Sequence, residues 1–507
     1  MVYVLNFTLP PRRSPIVFTW RRMLSFVPVL IRKQGCWTGG FILRHCISCI
    51  SVAVLLLTFP TTGPCQQSLP TLPPGPSNIS FGGAGWAWFS QFANPEFLGA
   101  LYMTPNWPKT GYYPLYPGSF SRPIAEDGLS VGPARLHPML GIAELYTDNV
   151  FRTKGHRRSD FATTLAPGIQ AELPFGGSHS FVADYRTNIQ IFHQNPSNNV
   201  QDQTASGRFN FDFPGGLRLD LQGEHKLGHD PRGSALDTQS FEVNKWTANS
   251  FIGQVSYEGA NAGLTLNVYS TRWTYLNNNQ SFFRNRLSNY AGATLLGNVS
   301  SKTSILMNIA VNQELYDETI SLNSTTYRAS TGLRWNITDL TFGELLGGYQ
   351  RLKFNNAESG LSPSNVQFQR SADSFDNFFF VGNMSWQPTP FMTLMVQGYR
   401  SFQQSVVFNT LFFTSTGANL SAVHTLTDST ALTLNLGLEH DDFESSGTTV
   451  GNPNRVDTLK SAAFGIRYRA VKWVGAGLQY IFEDRNSNVG RFNYYANSVM
   501  LSLQATF

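Results

Sequence analysis

The chain has 507 residues and a formal net charge of +5, with 13% aromatic residues, only 14% charged residues and 44 glycines spread along its length. That mixture favours sheet with many tight turns. The longest mainly apolar run, Ile47 to Phe59, is shorter than the roughly 18 to 20 residues a spanning helix needs, so helical membrane spans are excluded.

Residues 1–65 read as a leader. They hold seven Lys/Arg (Arg12, Arg13, Arg21, Arg22, Arg32, Lys33, Arg44), no acid and all four cysteines (Cys36, Cys46, Cys49, Cys65). A basic stretch, the Ile47 to Phe59 run and then Thr61, Thr62, Gly63 and Pro64 follow the order of a secretory signal, with cleavage expected near Cys65 and Met23 as an alternative start. Removing the leader's seven cations from the total of 37 leaves 30 basic against 32 acidic residues. The exported part is therefore near neutral, which excludes a nucleic-acid partner recognised by charge. The Cys46/Cys49 pair has no second pair to make a zinc or redox site.

Residues 66–131 are rich in Pro, Gly and aromatic residues and keep no sustained period, so they read as a periplasmic linker. Two readings of Trp86, Trp88, Phe89 and Phe92 stay open: a strap against the barrel mouth, or a short plug or docking segment.

From 132 to 507 one unit repeats: ten to sixteen residues of alternating polarity, then a turn, with short and long turns taking alternate places. Leu217, Leu219 and Leu221 oppose Arg218, Asp220, Gln222, Glu224 and Lys226; Phe209, Phe211 and Phe213 oppose Arg208, Asn210 and Asp212. Tyr327, Ala329, Thr331, Leu333 and Trp335 oppose Arg328, Ser330, Arg334 and Asn336, and Leu432 to Leu438 oppose Thr433, Asn435, Glu439 and Asp441. The expected fold is all-β, a transmembrane up-and-down antiparallel barrel of about eighteen strands, within a range of 16 to 20. Tight turns are expected at 175–179, 214–217, 258–263, 299–303, 337–340, 388–391, 427–430 and 471–474, and these are assigned to the periplasm. The longer segments 148–160, 228–244, 355–373 and 444–457 are assigned to the cell exterior. Phe151, Phe161, Trp273, Tyr275, Phe282, Phe283, Phe412, Phe413, Tyr494 and Tyr495, toward strand ends, are expected to form an interfacial girdle.

The last strand alternates Val499, Leu501, Leu503, Ala505 and Phe507 with Ser498, Ser502, Gln504 and Thr506. It resembles the carboxy-terminal signal of outer-membrane barrels, which implies recognition by the barrel-assembly machinery. It is expected to pair with the first strand, around Arg135 to Tyr146, because lipid does not tolerate a free sheet edge.

Around the first five strands the sequence is more specific. Leu136-His137-Pro138, Tyr146-Thr147-Asp148-Asn149-Val150-Phe151-Arg152, Ser159-Asp160-Phe161, Ala166-Pro167-Gly168 and Phe213-Pro214-Gly215-Gly216 resemble the putative β-barrel porin 2 family over about 90 residues. The resemblance implies an outer-membrane barrel, often associated with exopolysaccharide production, with a polysaccharide or its export machinery as a partner beside outer-membrane lipid and lipopolysaccharide. It brings no catalytic residues.

The sequence contains no H-E-x-x-H, G-x-S-x-G or phosphate-gripping glycine loop, and neither a cofactor nor a metal ion is expected. The chemistry then lies in a mixed-charge lumen. Positive wall candidates are Arg186, Arg208, Arg218, Lys226, Arg328, Arg334, Arg467 and Arg469, and negative ones Asp184, Asp212, Asp220, Glu224, Glu314, Glu439 and Glu483; parity sets their direction. A passive channel is the leading expectation. The competing ones are a binding barrel that works through its external loops, and an outer-membrane hydrolase built on His440, Asp441 and Asp442 with His229 and Asp230.

Overall fold

The computed structural model describes residues 128–235, 237–338, 340–355, 373–404, 410–445, 454–471 and 473–506. The leader, nearly all of the 66–131 linker, Phe507 and parts of two expected long loops lie outside the described residues.

Period-two alternation becomes nineteen strands. They are β1 (Leu129–Val131), β2 (Ala134–Thr147), β3 (Asp160–Phe175), β4 (His179–Phe192), β5 (Val200–Phe213), β6 (Leu217–His229), β7 (Lys245–Glu258), β8 (Ala262–Tyr275), β9 (Arg286–Asn298) and β10 (Thr303–Tyr316). There follow β11 (Ser324–Thr338), β12 (Thr341–Phe354), β13 (Ser374–Thr389), β14 (Met392–Gln404), β15 (Thr410–Thr427), β16 (Thr430–Ser445), β17 (Val456–Val471), β18 (Val474–Ser487) and β19 (Tyr494–Thr506). A five-residue helix, α1 (Gln280–Arg284), sits between β8 and β9. Each strand pairs antiparallel with its neighbour in sequence, and β19 pairs with β2 from Ser498↔Thr147 to Thr506↔Met139. Excluding the short β1, the result is a closed eighteen-stranded barrel.

Closure answers a backbone requirement. Each unpaired N–H or C=O in hydrocarbon costs several kcal/mol, so an open edge is not viable there. β2 shows how the edge is finished. Its residues Arg135 and Leu136 pair with Glu172 and Ala171 of β3 on one side, while Leu129 and Ser130 of β1 pair with the same two residues. β1 therefore occupies the edge that β19 uses farther along, and the two strands follow one another end to end beside β2. The sheet starts three residues earlier than the sequence suggested.

Alternation separates two faces. On β10, Leu306 is 0% exposed between Ile305 at 39% and Met307 at 58%. The outer face carries an apolar band, for example Leu432 to Leu438 on β16 and Val474 to Phe482 on β18, that gives way to His440 and Asp442, and to Asp484, toward the long loops. Eight residues at about 3.3 Å each, tilted by roughly 40°, make a band about 20 Å tall, close to that of outer-membrane barrels. Val499, Leu501 and Leu503 lie in this band, 41%, 57% and 54% exposed. The expected girdle divides. Phe161 and Tyr495 face outward, but Tyr275, Phe413 and Tyr494 are buried on the inner side and Phe412 is buried among Leu352, Phe354 and Phe402, because residues of opposite parity at the same height cannot share a face.

The Pro214-Gly215-Gly216 turn needs glycine: Gly216 has φ +86°, and a Cβ there would meet the Glu258 carbonyl oxygen at 2.5 Å. Gly216→Ala is expected to destabilise the barrel by more than about 1 kcal/mol, seen as a lower temperature for loss of heat-modifiable gel migration. Deleting residues 499–507 removes most of the β19 pairing with β2. The expected outcome is aggregated chain with no heat-modifiable band.

Candidate inner wall and loop constriction

The inner face of β4 to β6 is a ladder of compensated charge. Asp184 pairs with Arg186 at 2.8 Å, Arg208 with Asp220 at 3.0 Å, Asp212 with Arg218 at 3.5 Å and Glu224 with Lys226 at 2.7 Å. Two pairs run along one strand, Asp184 with Arg186 and Glu224 with Lys226, and two cross from β5 to β6 by register: Asp212 lies opposite Arg218, and Asn210, between Arg208 and Asp212, lies opposite Asp220. Arg208, Asp212 and Arg218 keep 40 to 47% of their side chains exposed, so this is the wet side of the interior. Such partly solvated pairs contribute roughly 0 to 1 kcal/mol each to stability, and their larger effect is on the local field.

The other wall candidates share the inner parity but have different partners. Arg334 bonds Glu344 at 2.9 Å and Arg328 donates to Gln350 at 3.3 Å, both buried. Glu314 takes Arg286 at 3.0 Å and Ser288 at 2.6 Å, and Glu439 accepts from the Tyr399 hydroxyl. Glu483 holds Arg152, from the β2–β3 loop, at 2.7 Å. Arg467 lies between Ala431 and Gly477 in register, and Arg469 donates to the Asp428 carbonyl at the short-turn end.

The residues proposed for hydrolysis do not meet. Asp441 is 0% exposed on the inner face, while His440 and Asp442, of opposite parity, point outward, with His440 Nδ1 3.1 Å from Thr458 Oγ1. His229 pairs instead with Asp202, at 2.9 Å. Adjacent strand residues face opposite sides, so a triplet in sequence cannot form one site here.

The main departure from the sequence reading is the β6–β7 loop, which does not simply project outward. Ala235 is buried with Phe413, Phe443 and Leu459, from β15, β16 and β17. β15 is nine of eighteen strands away from β6, so the loop crosses the interior to the opposite wall. Arg485 of β18 fastens it, donating through Nη1 to the Gly233 and Ser234 carbonyls at 2.9 Å each. The same guanidinium is held by Asp457, which also takes Arg455. Tyr494 donates to the Gly233 carbonyl at 3.2 Å, and Gln239 Nε2 to the Arg491 carbonyl at 2.8 Å. Gly233 (φ +75°) is required at this contact, since a Cβ would lie 2.5 Å from the Tyr494 hydroxyl oxygen.

The base of the loop is pinned as firmly. Asp230 accepts from Arg284 of α1 at 2.5 Å, Trp246 Nε1 at 3.2 Å and Asn244 Nδ2 at 3.1 Å, and Arg284 also donates to the Tyr275 hydroxyl at 2.6 Å. Arg284 and Asp230 have only 2% of their side chains exposed, and removing one partner of such a pair costs about 3 to 5 kcal/mol. Within the loop, burial pushes the Asp237 carboxyl above its usual range, with Arg232 opposing at 3.8 Å. Parity in the strands was legible in sequence. The loop's direction was not, because its partners lie some 180 to 260 residues away; its small residues Gly233, Ser234 and Ala235 were the available signal.

No curated protein matches the chain. Among solved structures it is similar to OpdK of Pseudomonas aeruginosa with vanillate (TM-score 0.44, 11% identity, 73% of this chain and 99% of that one). It is also similar to OccK2 (OpdF) of the same organism (0.44, 12%, 73% and 98%) and to OpdL (0.40, 9%, 74% and 98%). The family model described as "Putative beta-barrel porin 2" matches residues 122–507, which include every described strand. On that match the chain belongs to the putative β-barrel porin 2 family, a family of outer-membrane β-barrels.

Proposed function

We propose that the barrel is a passive solute channel whose narrow section is set by the β6–β7 loop. The observation that carries this reading is the loop's path from β6 to β15, beside an inner wall that keeps a half-exposed charge ladder on β4 to β6. Barrels of this strand number enclose an aqueous lumen, and a fixed loop across it restricts passage by width and by the field of the charges around it. Extracellular polysaccharide as the transported polymer, and export through a signal cleaved near Cys65, belong to the same proposal and draw their support from the family resemblance and the leader sequence.

Planar-bilayer recording tests it. The purified barrel with residues 66–127 removed, which keeps β1, is expected to give discrete conductance steps, and a silent barrel would remove the channel reading. Arg485→Ala unfastens the loop from β18, so larger or noisier steps are expected than from the parent barrel. Equal, quiet steps would show that the loop does not set the narrow section. If loop deletion instead abolished polysaccharide binding and left permeability unchanged, the binding-barrel alternative would replace this one.

A further inference from the structure

The cations at the long-loop end of the barrel fall into two groups. Arg152, Arg157 and Arg232 hold the loops in place. Arg152 bonds Glu483 of β18 at 2.7 Å, and Arg157 pairs with Asp148 and lies 3.9 Å over the Tyr495 ring. Arg232 donates to the Asn198 side chain at 2.9 Å and to the Phe241 carbonyl at 2.6 Å. The second group, Lys154, His156 and Arg158 of the β2–β3 loop and Arg491 of the β18–β19 loop, is exposed and has no carboxylate partner among the described residues.

Long-range contacts bring this second group to one side of the mouth. The Phe151 ring lies between Arg158 at 6.0 Å and Arg232 at 5.7 Å, which joins the β2–β3 loop to the β6–β7 loop. Gln239 donates to the Arg491 carbonyl and Asn149 Nδ2 to the Tyr495 carbonyl, each at 2.8 Å, so both loops are tied to the start of β19. Arg152, His156 and Gln239 keep left-handed backbone, with φ of +54°, +54° and +56°. Residues other than glycine hold such angles only where the surroundings fix them, so the loops present their cations in a set arrangement. The exposed carboxylates Glu242, Asp317 and Glu318 face other neighbours: Asn278 of the β8–β9 loop donates to the Glu242 carbonyl, and Arg272 of β8 bonds Asp317 at 2.8 Å. The field over the β2–β3 side is therefore positive within a Debye length of about 8 Å.

A ring stands beside these charges. Phe241 is 80% exposed, more than any other large apolar side chain among the described residues, including those of the outer apolar band. Its carbonyl is held by the same Arg232 that lies over Phe151. An open aromatic face attracts the C–H-rich face of a sugar ring, and cations that lack partners attract its carboxylates.

We propose that this side of the mouth binds an acidic saccharide, with its carboxylates on Lys154, Arg158 and Arg491 and one sugar face on Phe241. Onward passage of the bound saccharide rests on the channel reading; the binding itself does not.

The test measures binding to full-chain protein by calorimetry, and heat-modifiable migration checks that each variant folds. The probes are oligogalacturonate, maltohexaose as a neutral sugar and polyglutamate as a polyanion without sugar. Oligogalacturonate is expected to bind at least roughly tenfold more tightly than maltohexaose, and the combined Lys154→Gln, Arg158→Gln and Arg491→Gln variant to lose about that factor together with most of the salt dependence. Phe241→Ala is expected to weaken oligogalacturonate about threefold and to leave polyglutamate unchanged, while Glu318→Gln alters neither. Equal binding by the parent and the charge variant would overturn the site. No effect of Phe241→Ala, or an equal loss for both polyanions, would overturn the saccharide assignment. Charge substitutions that reduce only the lipopolysaccharide retained on purification, with oligogalacturonate binding unchanged, would assign the cations to neighbouring lipid and overturn the proposal. A barrel that binds without conducting keeps the site and removes the channel reading; one that conducts without binding does the reverse.

Discussion

Every other feature of the molecule depends on one constraint: a backbone placed in hydrocarbon has to satisfy all its hydrogen bonds within itself. With no long apolar helix among the described residues, the chain meets it by closing a sheet, and the β19–β2 pairing is where the requirement is completed. Closure fixes parity around the whole ring, and parity decides which side chains meet lipid and which meet the interior. The charge ladder, the buried inner clusters and the apolar band are three results of the same alternation.

Once the strands are fixed, the interior is shaped by interactions that are long in sequence and short in space. Arg485 reaches two carbonyls some 250 residues away, and Asp230 gathers Arg284, Trp246 and Asn244. Both hubs use full charges where water is scarce. That arrangement is costly to break and weak as a source of net stability, so its value lies in holding one loop conformation. A barrel wall needs no such hubs to stand; a loop suspended across a lumen does.

The strands and turns were legible because barrel sequences advertise them locally. Phe209 to Phe213 against Arg208 to Asp212 is a complete statement of strand and face, and the eight predicted tight turns fall between consecutive strands of the closed sheet. The candidate wall residues could be assigned to the inner face by parity alone. Partners could not: nothing near Glu439 in sequence points to Tyr399, and nothing near Ala235 points to Phe443. Aromatic residues misled for a related reason. Tyr494 and Tyr495 are neighbours in sequence and were grouped as one girdle, yet a single step along a strand puts one under the β6–β7 loop and the other toward lipid. His440 and Asp441 divide in the same way.

The end-to-end placement of β1 and β19 beside β2 bears on the order of events in biogenesis. The first strand of the barrel to be synthesised and the last share one edge, so no nascent or partly translocated chain contains a complete seam. The barrel has to wait, with Met139 to Thr147 of β2 unpaired on that side, until β19 arrives. The β2 edge is thus the part of the sheet that stays open longest, and an open edge is a ready template for pairing with another chain.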